Sequence, residues 1–337
     1  MYKKWFYCIT LFMLFQGCSA DPKFFKYQNN YHQWNKKSFI KWKLNSFGLP
    51  KPPATYVQGY NFPVIETNTD FLKNNSTQKT YTWVGHATGL LQVDGLNILT
   101  DPIFSDRASP ISFLGPKRKT RLPFSKEELP SIDLVVISHN HYDHMDYSTL
   151  KYLAKKNPNT LFTVPAGLKD WFLENHINNV EEFNWWQSYH HQGLKITFVP
   201  AQHWSKRTFW DTNESLWGGW VIEKDEFSFF FVGDTGYSND FKDIKQHFNG
   251  FDLATVPVGA YEPRWFMQSY HVNPEEALKI HMDVAAKKSI GIHWGTFELT
   301  DESLDEPIGE LKKAKVKHQI QDDAFILLKH GETYLIK

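Results

Sequence analysis

Four strand-like apolar runs in this sequence end directly in histidine or aspartate. The run Leu134-Val135-Val136-Ile137 leads into 138–144, which reads Ser-His-Asn-His-Tyr-Asp-His, and three later runs lead to His203, Asp234 and His293. Imidazoles two residues apart in an extended strand would face opposite ways, so the histidine run must be a loop that folds back on a common point. Nitrogen and carboxylate donors that converge on one point are typical of a metal site.

The apolar runs predict the strands that position these donors, and they are Leu134–Ile137, Ile196–Pro200, Phe229–Val232 and Ile290–Ile292. Such short continuous runs fit strands buried on both faces, and α/β sheets place their sites at strand ends. Asp146 is predicted to cap a helix that ends at about Lys156. One large α/β domain is therefore expected from Tyr81 onward. A single histidine after a strand is more often a hydrated surface residue, so the prediction depends on the cluster.

The composition excludes several classes of protein. The chain has 337 residues, 37 Lys+Arg against 37 Asp+Glu, and 41% hydrophobic residues. This length and content support a large core, unlike the composition of a disordered chain. A chain with zero formal net charge lacks the excess of basic residues with which proteins neutralise the phosphates of nucleic acid. No nucleic-acid partner is therefore expected.

The N-terminus has the features of an export signal. Lys3 and Lys4 precede the apolar run Trp5–Phe15, which is too short to span a bilayer. Residues 1–17 are therefore predicted to be a signal peptide. The sequence 14–18, Leu-Phe-Gln-Gly-Cys, resembles a bacterial lipoprotein box with Cys18 as the acylated residue. The expected location is a membrane lipoprotein on the periplasmic face or in the outer membrane, and free secretion is the alternative.

Residues 18–78 differ in composition from the rest of the chain. They are rich in Lys, Asn, Tyr and Pro, and Pro50, Pro52 and Pro53 indicate a rigid extended stretch. We expect a lipid-anchored tether followed by an irregular segment that wraps the domain. The catalytic domain is predicted to comprise residues 79–337. No later stretch is apolar enough for a membrane helix, so membrane attachment is expected through the lipid anchor.

Several motifs together resemble a known family. The string His-x-His-x-Asp-His at 139–144, with His203, Gly-Asp-Thr-Gly around Asp234 and the final His293, resembles the metallo-β-lactamase superfamily. Within it the chain is most similar to the N-acylphosphatidylethanolamine-hydrolysing phospholipase D family. The further motifs that carry this similarity lie at 83–88, 101–104, 216–220, 260–267 and 292–296. The resemblance implies an αββα sandwich, in which two sheets pack face to face between helices.

The resemblance also implies a two-metal site with two Zn²⁺ per chain. By position, one ion would be held by His139, His141 and His203. The other would be held by Asp143, His144 and His293, with Asp234 bridging the two ions. Nitrogen and carboxylate ligands without thiolates suit hydrolytic zinc rather than a closed structural site.

The activity implied is hydrolysis of N-acylphosphatidylethanolamine, or a related phospholipid, to phosphatidic acid and N-acylethanolamine. Two metals can lower the pKa of a bridging water and stabilise an in-line displacement at phosphorus. In this interpretation a metal-bridging hydroxide attacks, and Asp143 orients it or accepts its proton. His271 is the candidate for a leaving-group acid or phosphate contact, against the plainer alternative of a surface histidine.

Other polar and aromatic residues carry weaker predictions. Lys206, Arg207 and Arg264 could contact phosphate but are more simply solvated. His86 is expected to pack behind the ligands, and no ligand role is expected for His190 or His191. Aromatic residues after the ligand loops are candidates for an acyl-chain groove, with the core as the preferred place for Trp217 and Trp220; they are Trp204, Trp210, Trp217, Trp265 and Phe266.

Three functions stay open at this point. The first is the zinc phosphodiesterase acting on phospholipids. The second is another hydrolase of the superfamily, such as a lactonase or a different phosphodiesterase, which would use the same hydroxide on another bond. The third is a non-catalytic metal-binding surface lipoprotein. The expected partners are a phospholipid substrate and a membrane surface, and the family resemblance suggests a homodimer.

Overall fold

The computed structural model describes residues 36–46 and 60–337. The predicted signal peptide, Cys18 and the proline-rich stretch at 50–53 lie outside the described residues. Within the described residues, no helix has both the length and the hydropathy needed to cross a bilayer.

Two mixed seven-stranded sheets form the centre of the fold. The strands of the first sheet, in spatial order, are β14 (Thr333–Leu335), β1 (Thr80–Gly85), β2 (Thr88–Val93), β3 (Leu96–Thr100), β4 (Leu134–Val136), β5 (Leu161–Pro165) and β6 (Val180–Phe183). Those of the second are β13 (Phe325–Ile326), β12 (Ser289–Ile292), β11 (Leu253–Pro257), β10 (Phe227–Phe231), β9 (Gly219–Lys224), β8 (Leu194–Val199) and β7 (Ser188–His191). The predicted strands thus appear as β4, β8, β10 and β12.

Eight α-helices accompany the sheets in the described part of the chain. They are α1 (Lys36–Ser46), α2 (Thr69–Asn74), α3 (Tyr147–Lys156), α4 (Lys169–Glu174), α5 (Asp240–Phe248), α6 (Arg264–Met267), α7 (Pro274–Asp283) and α8 (Glu306–His318). Asp146 occupies the N-cap position of α3, as expected, although its side chain accepts from the Ser105 and Thr149 hydroxyls instead of the helix backbone. Helices α1 and α2 lie within the segment predicted to be irregular.

The core is divided between the two faces of the first sheet. Along β4, Leu134 and Val136 belong to the cluster between the sheets, whereas Val135 and Ile137 pack outward with α3 and α4. Burial on both faces explains why this strand has no polar residue. Helices flank both sheets, so the predicted αββα sandwich is confirmed.

The strand directions bring the donor-bearing ends to one edge. In the first sheet β3 is parallel to β4, and β1 runs the same way because β2 is antiparallel to both β1 and β3. In the second sheet β8 and β10 share one direction because β9 is antiparallel to both, and β12 shares it because β10, β11 and β12 pair in parallel. The residues that follow these strands therefore meet at a common edge of the sandwich.

Candidate metal centre

The loop after β4 is held in a turn that points its donors inward. The backbone N–H groups of His144 and Met145 both donate to the carbonyl of His141, at 3.1 and 2.9 Å. The side chain of Asn140 accepts from the N–H of Lys206 at 2.7 Å, which ties the turn to the loop after β8. The run 138–144 therefore folds back on itself instead of continuing the strand.

Tight backbone approaches bring the Asp234 loop to this turn. Gly233 has a φ of 69°, and a Cβ there would lie 2.8 Å from both the Gly218 carbonyl oxygen and the Ser138 Cβ. Glycine is needed because an L-residue is disfavoured in this conformation and would also clash. His293 also has a positive φ, of 63°, and its N–H donates to the His86 carbonyl at 2.9 Å. Such conformations persist where the surrounding structure holds them.

One group of donors comprises three histidines and an aspartate. His139 Nε2 lies 2.8 Å from His141 Nδ1, and His203 Nε2 lies 3.4 Å from the same His141 atom. The Oδ2 atom of Asp234 is 3.9 Å from both His139 Nε2 and His203 Nε2. These are the residues that the family resemblance assigns to the first ion.

A second group shares the same Asp234 oxygen. His144 Nε2 lies 3.3 Å from both Asp143 Oδ2 and His293 Nε2, and the last two atoms are 3.5 Å apart. Asp234 Oδ2 is 3.1 Å from His144 Nε2 and 3.2 Å from His293 Nε2. The structure thus brings all seven predicted ligands together in two groups that meet at one carboxylate.

The spacing of the donors fits bound metal. Two ligands about 2.0–2.1 Å from a tetrahedral ion lie about 3.3–3.4 Å apart, and the observed spacings of 2.8–3.9 Å bracket this value. The other oxygen of Asp234, Oδ1, is buried with no hydrogen-bond partner among the described residues. A buried carboxylate in that state requires a cation nearby.

The outer ring nitrogens show which inner nitrogens carry lone pairs. His203 Nδ1 donates to the Tyr270 carbonyl at 2.9 Å, and His144 Nδ1 donates to the Asp101 carboxylate at 2.6 Å. When such a ring is neutral, its Nε2 atom is therefore an acceptor, and it faces other acceptors across the site. This set of inward lone pairs and carboxylate oxygens suits one or two divalent cations.

The electrostatics of the donor set agree with this requirement. Burial lowers the pKa of His141 to about 3 and that of His203 to about 4, so both rings are neutral at pH 7. Burial also disfavours a charged His293, but the carboxylates of Asp234 and Asp143 raise its pKa to about 9. Burial opposes ionisation of Asp234, yet the adjacent histidines hold its pKa well below the usual range. In the protein alone, protons on His293 and His144 supply the positive charge that a metal would supply.

Asp101 contacts the donor cluster, and the sequence singles it out only as part of a family motif. It follows β3, is fully buried, and accepts from the Ser138 N–H at 2.7 Å and from the Ser138 hydroxyl. That hydroxyl in turn accepts from His139 Nδ1 at 2.8 Å. One carboxylate therefore orients a ligand in each group, His144 directly and His139 through Ser138. Its position after a strand is the signal that would have found it.

His86 lies against the second donor group. It is 1% exposed, and its Nε2 is 2.8 Å from Asp143 Oδ2. Burial, with His293 nearby, lowers the pKa of His86 to about 3, so the neutral ring donates this hydrogen bond and orients Asp143. One of its ring nitrogens also lies close enough to Asp143, His144 and His293 to join a donor group.

His271 lies at the edge of the donor cluster. Its Nδ1 is 3.9 Å from Asp234 Oδ2 and its ring centroid is 5.0 Å from that of His203. Burial lowers the pKa of His271 well below its usual value. The Arg264 guanidinium donates to the His271 carbonyl at 2.9 Å and pairs with Glu276 at 2.7 Å, which fixes this loop against α7.

A cavity of about 400 Å³ opens above the donors. Its floor contains His141, Asp143, Asp234 and His271, and its walls are mostly apolar. Helix α1 forms part of the wall through Trp42. The Trp42 ring stacks on that of Phe266 with their centroids 5.4 Å apart, and its Nε1 donates to the Asp301 carboxylate at 3.0 Å. An apolar cavity over a polar floor suits a ligand with a polar reacting group and apolar chains.

The aromatic candidates for this cavity divide into three sets. Trp204 and Phe266 line it. Trp217 and Trp220 are 1% and 0% exposed in the core, as preferred from the sequence. Trp210 and Trp265 are instead 73% and 48% exposed.

The basic candidates are largely engaged by the protein. Arg207 donates to the carbonyls of Asn140 and Met145 at 3.1 and 2.8 Å and lies over the Tyr142 ring. Arg264 is held by Glu276 and the His271 loop, as described above. Both arginines therefore brace the loops that carry the donors. Lys206 follows Trp204 closely, and its N–H takes part in the contact with Asn140.

The sequence is similar to a known protein family. The profile of the β-lactamase superfamily domain matches residues 96–294. That match spans more than half of the chain and includes every predicted metal ligand. The chain belongs to the β-lactamase superfamily.

Two relatives of the chain are N-acyl-phosphatidylethanolamine-hydrolyzing phospholipases D. Over 265 residues the chain is 43% identical to N-acyl-phosphatidylethanolamine-hydrolyzing phospholipase D 1 of Caenorhabditis elegans, covering 75% of this chain and 74% of that protein. It is 40% identical over 238 residues to the mitochondrial N-acyl-phosphatidylethanolamine-hydrolyzing phospholipase D of Saccharomyces cerevisiae, covering 68% of this chain but only half of the yeast protein.

A solved metallo hydrolase shares the fold. The chain matches Igni18, from the archaeon Ignicoccus hospitalis, with a TM-score of 0.59 and 22% identity over 77% of this chain and 99% of that one. At this identity the match supports the fold alone. Together with the donor cluster, the family places this β-lactamase superfamily member among the metal-dependent hydrolases.

Proposed function

We propose that this hydrolase is a phospholipase D-type phosphodiesterase that holds two zinc ions. Its substrate would be N-acylphosphatidylethanolamine or a related phospholipid, and its products phosphatidic acid and N-acylethanolamine. The observation that carries the proposal is the position of two donor groups, joined by Asp234, on the floor of an apolar cavity. The identity to phospholipases D of this type over most of the chain supports the same conclusion.

The donor set fits zinc in both groups. Imidazole nitrogens and carboxylate oxygens, without thiolates, suit hydrolytic zinc. Bound zinc would supply Lewis acidity and a hydroxide nucleophile at neutral pH. His139, His141 and His203 would hold one ion, while Asp143, His144 and His293 would hold the other, with Asp234 shared.

The residues of the chain would orient the reactants. His86 and His144 hold the Asp143 carboxylate, which is placed to accept the proton of the attacking water. Asp143 has a pKa well below its usual value because the adjacent histidines oppose the effect of burial, so it is ionised and accepts hydrogen bonds. The attacking water would give a proton to Asp143 as its oxygen bonds to phosphorus, and the bond from phosphorus to the ethanolamine oxygen would break. That oxygen would take up the proton that Asp143 then releases, directly or through solvent water.

His271 would bind the phosphate instead of supplying the proton. Its ring lines the cavity beside Asp234, and its lowered pKa means that it is neutral at pH 7. A neutral imidazole donates one N–H but is a poor general acid. We expect His271→Gln, which retains an N–H donor, to lower kcat/KM less than His271→Ala does.

The test is hydrolysis of N-acylphosphatidylethanolamine in mixed micelles by the zinc-loaded protein, performed in ¹⁸O-labelled water. Cleavage at phosphorus places one ¹⁸O in phosphatidic acid and none in N-acylethanolamine. Asp234→Asn is expected to abolish turnover, while Asp252→Asn, at the opposite end of the second sheet, retains it. Turnover of small lactones without turnover of the phospholipid would instead identify a lactonase.

The location and assembly of the protein are part of the proposal. We propose export and acylation at Cys18, which would hold the enzyme beside its lipid substrate. Mass spectrometry of the N-terminal peptide from the membrane fraction tests this, because free secretion predicts an unacylated peptide. We also propose a homodimer, which sedimentation equilibrium tests.

A further inference from the structure

The most exposed apolar side chains are concentrated on three elements. Six large apolar side chains in the described residues are more than 60% exposed, and Val316 on α8 is the one that lies elsewhere. The other five are Leu44 at 70%, Phe113 at 80%, Leu114 at 61%, Phe209 at 87% and Trp210 at 73%. Aromatic and leucine side chains exposed together are uncommon on a soluble surface unless they bind something.

Two of these elements line the cavity above the donors, and the third follows a residue that lines it. Helix α1 contributes Phe39 and Trp42, and the loop 108–116 contributes its two end residues, Ala108 and Pro116. The loop 206–212 begins two residues after Trp204, which lines the same cavity. The exposed apolar residues thus lie on elements that line the cavity of the candidate active site or adjoin its lining.

Both loops have bases that are tied together. Arg107 and Lys117 form an antiparallel bridge, and the Ala108 N–H donates to the Pro116 carbonyl at 3.1 Å. In the second loop the Asn213 N–H donates to the Ser205 carbonyl at 2.8 Å. The apolar tips are therefore held out from the surface by closed bases.

Helix α1 has apolar side chains on two faces. Phe39 and Trp42 pack inward, whereas Ile40 and Leu44, one turn apart, are 45% and 70% exposed. Lys41 lies over the half-exposed ring of Trp265, at 5.2 Å from its centroid. An exposed apolar stripe beside lysines is typical of helices that lie in a membrane interface.

The charge of the same elements is strongly positive. Helix α1 contains four lysines and no acidic residue, and the loops 108–116 and 206–212 together add two basic residues and one acidic residue. The whole chain has zero formal net charge, so this balance is local. Basic residues near a bilayer surface are attracted to anionic lipid head groups.

We propose that α1 and the tips of the loops 108–116 and 206–212 form a docking surface for an anionic phospholipid bilayer. Separate apolar tips among basic residues suit insertion between head groups better than they suit a flat protein partner. The inference rests on the proposed function, since docking would place the cavity entrance against the lipid that it hydrolyses. It adds a contact that is independent of any acyl chain at Cys18.

The test locates the membrane contact with single fluorescent labels on the full chain. Cys8→Ser and Cys18→Ser remove both native cysteines. Single labels are then introduced through Leu44→Cys, Phe113→Cys or Phe209→Cys, with Val316→Cys as the equally exposed control. Vesicles of phosphatidylcholine and phosphatidylglycerol carrying a nitroxide-labelled phospholipid are expected to quench each of the first three labels at least threefold more than the control. Omitting phosphatidylglycerol should reduce that quenching.

Three results would overturn this proposal. The first is quenching at the Val316→Cys label equal to that at the other three labels, and the second is quenching independent of phosphatidylglycerol. The third is a change in the fluorescence of the Phe113→Cys label with protein concentration in the absence of vesicles, which would identify a contact between two copies of the chain.

A second measurement separates the docking surface from the chemistry. Combining Phe113→Ser, Leu114→Ser and Phe209→Ser should lower hydrolysis of vesicle-embedded phospholipid at least tenfold and leave hydrolysis of soluble bis(4-nitrophenyl) phosphate unchanged. Equal losses on both substrates would contradict the docking proposal. If the wild type hydrolyses neither substrate, the proposed function fails, while the quenching experiment still decides the docking surface.

Discussion

Replacing Asp101 by asparagine should weaken metal binding at both donor groups, although Asp101 is not a predicted ligand. Its carboxylate accepts from His144 Nδ1 at 2.6 Å and from the Ser138 N–H at 2.7 Å, and Ser138 orients His139. Asparagine has nearly the same shape but only one acceptor oxygen, so one of these bonds is lost or reversed. Outer partners of this kind contribute about 10–100-fold in metal affinity, or about 1.4–2.7 kcal/mol.

The assay is a competition titration of zinc between the protein and a chromophoric chelator, with metal content measured in parallel. Asp133→Asn is the matched control, because Asp133 accepts a backbone N–H from Asn97 at 2.8 Å at the other end of β4. Asp101→Asn should raise the zinc dissociation constant about 10–100-fold and the control should not. Wild-type affinity in Asp101→Asn, or an equal loss in Asp133→Asn, would refute the argument.

Three further predictions concern stability. Burial, with nearby Arg118, lowers the pKa of His330 from 6.5 to about 3, so its contribution is complete above pH 6.5 and is lost as pH falls toward 3. Between pH 8 and 5 the free energy of unfolding, measured with urea, should fall by about 2 kcal/mol more in the wild type than in His330→Phe. Equal decreases in the two proteins would contradict this. Gly259→Ala should destabilise the protein by about 1–3 kcal/mol, because the added Cβ would meet the His293 carbonyl. Gly309→Ala in α8 should stabilise it by about 0.5–1 kcal/mol, because the added Cβ there meets no other atom. Stability changes of the same sign in calorimetry would refute the packing argument. Chelation should lower the Tm and added zinc should restore it, since metal binds the folded state; an unchanged Tm would contradict a filled site.

The donor cluster can be predicted from the sequence because its signals are local. Each of β4, β8, β10 and β12 is a short apolar run, and its donor follows within a few residues. Parallel packing then brings those ends together. The orientation of each ring cannot be predicted in this way, because His144 is oriented by Asp101, which lies 43 residues earlier.

Helix α1 shows why other features could not be predicted. Its lysine-rich sequence resembles a tether, and Phe39 and Trp42 have significance only beside Phe266, more than 220 residues later. The arginines illustrate the same limit. Arg207 and Arg264 occur near donor loops, but the backbone carbonyls that they brace are visible only in the fold.

The central claim is that seven side chains hold two metal ions across one shared carboxylate. The most direct measurement is anomalous diffraction at the zinc absorption edge from crystals of the zinc-loaded protein. We expect two peaks about 3.5–4 Å apart, one on each side of Asp234. A single peak, or two peaks of which one lies away from Asp143, His144 and His293, would contradict this account.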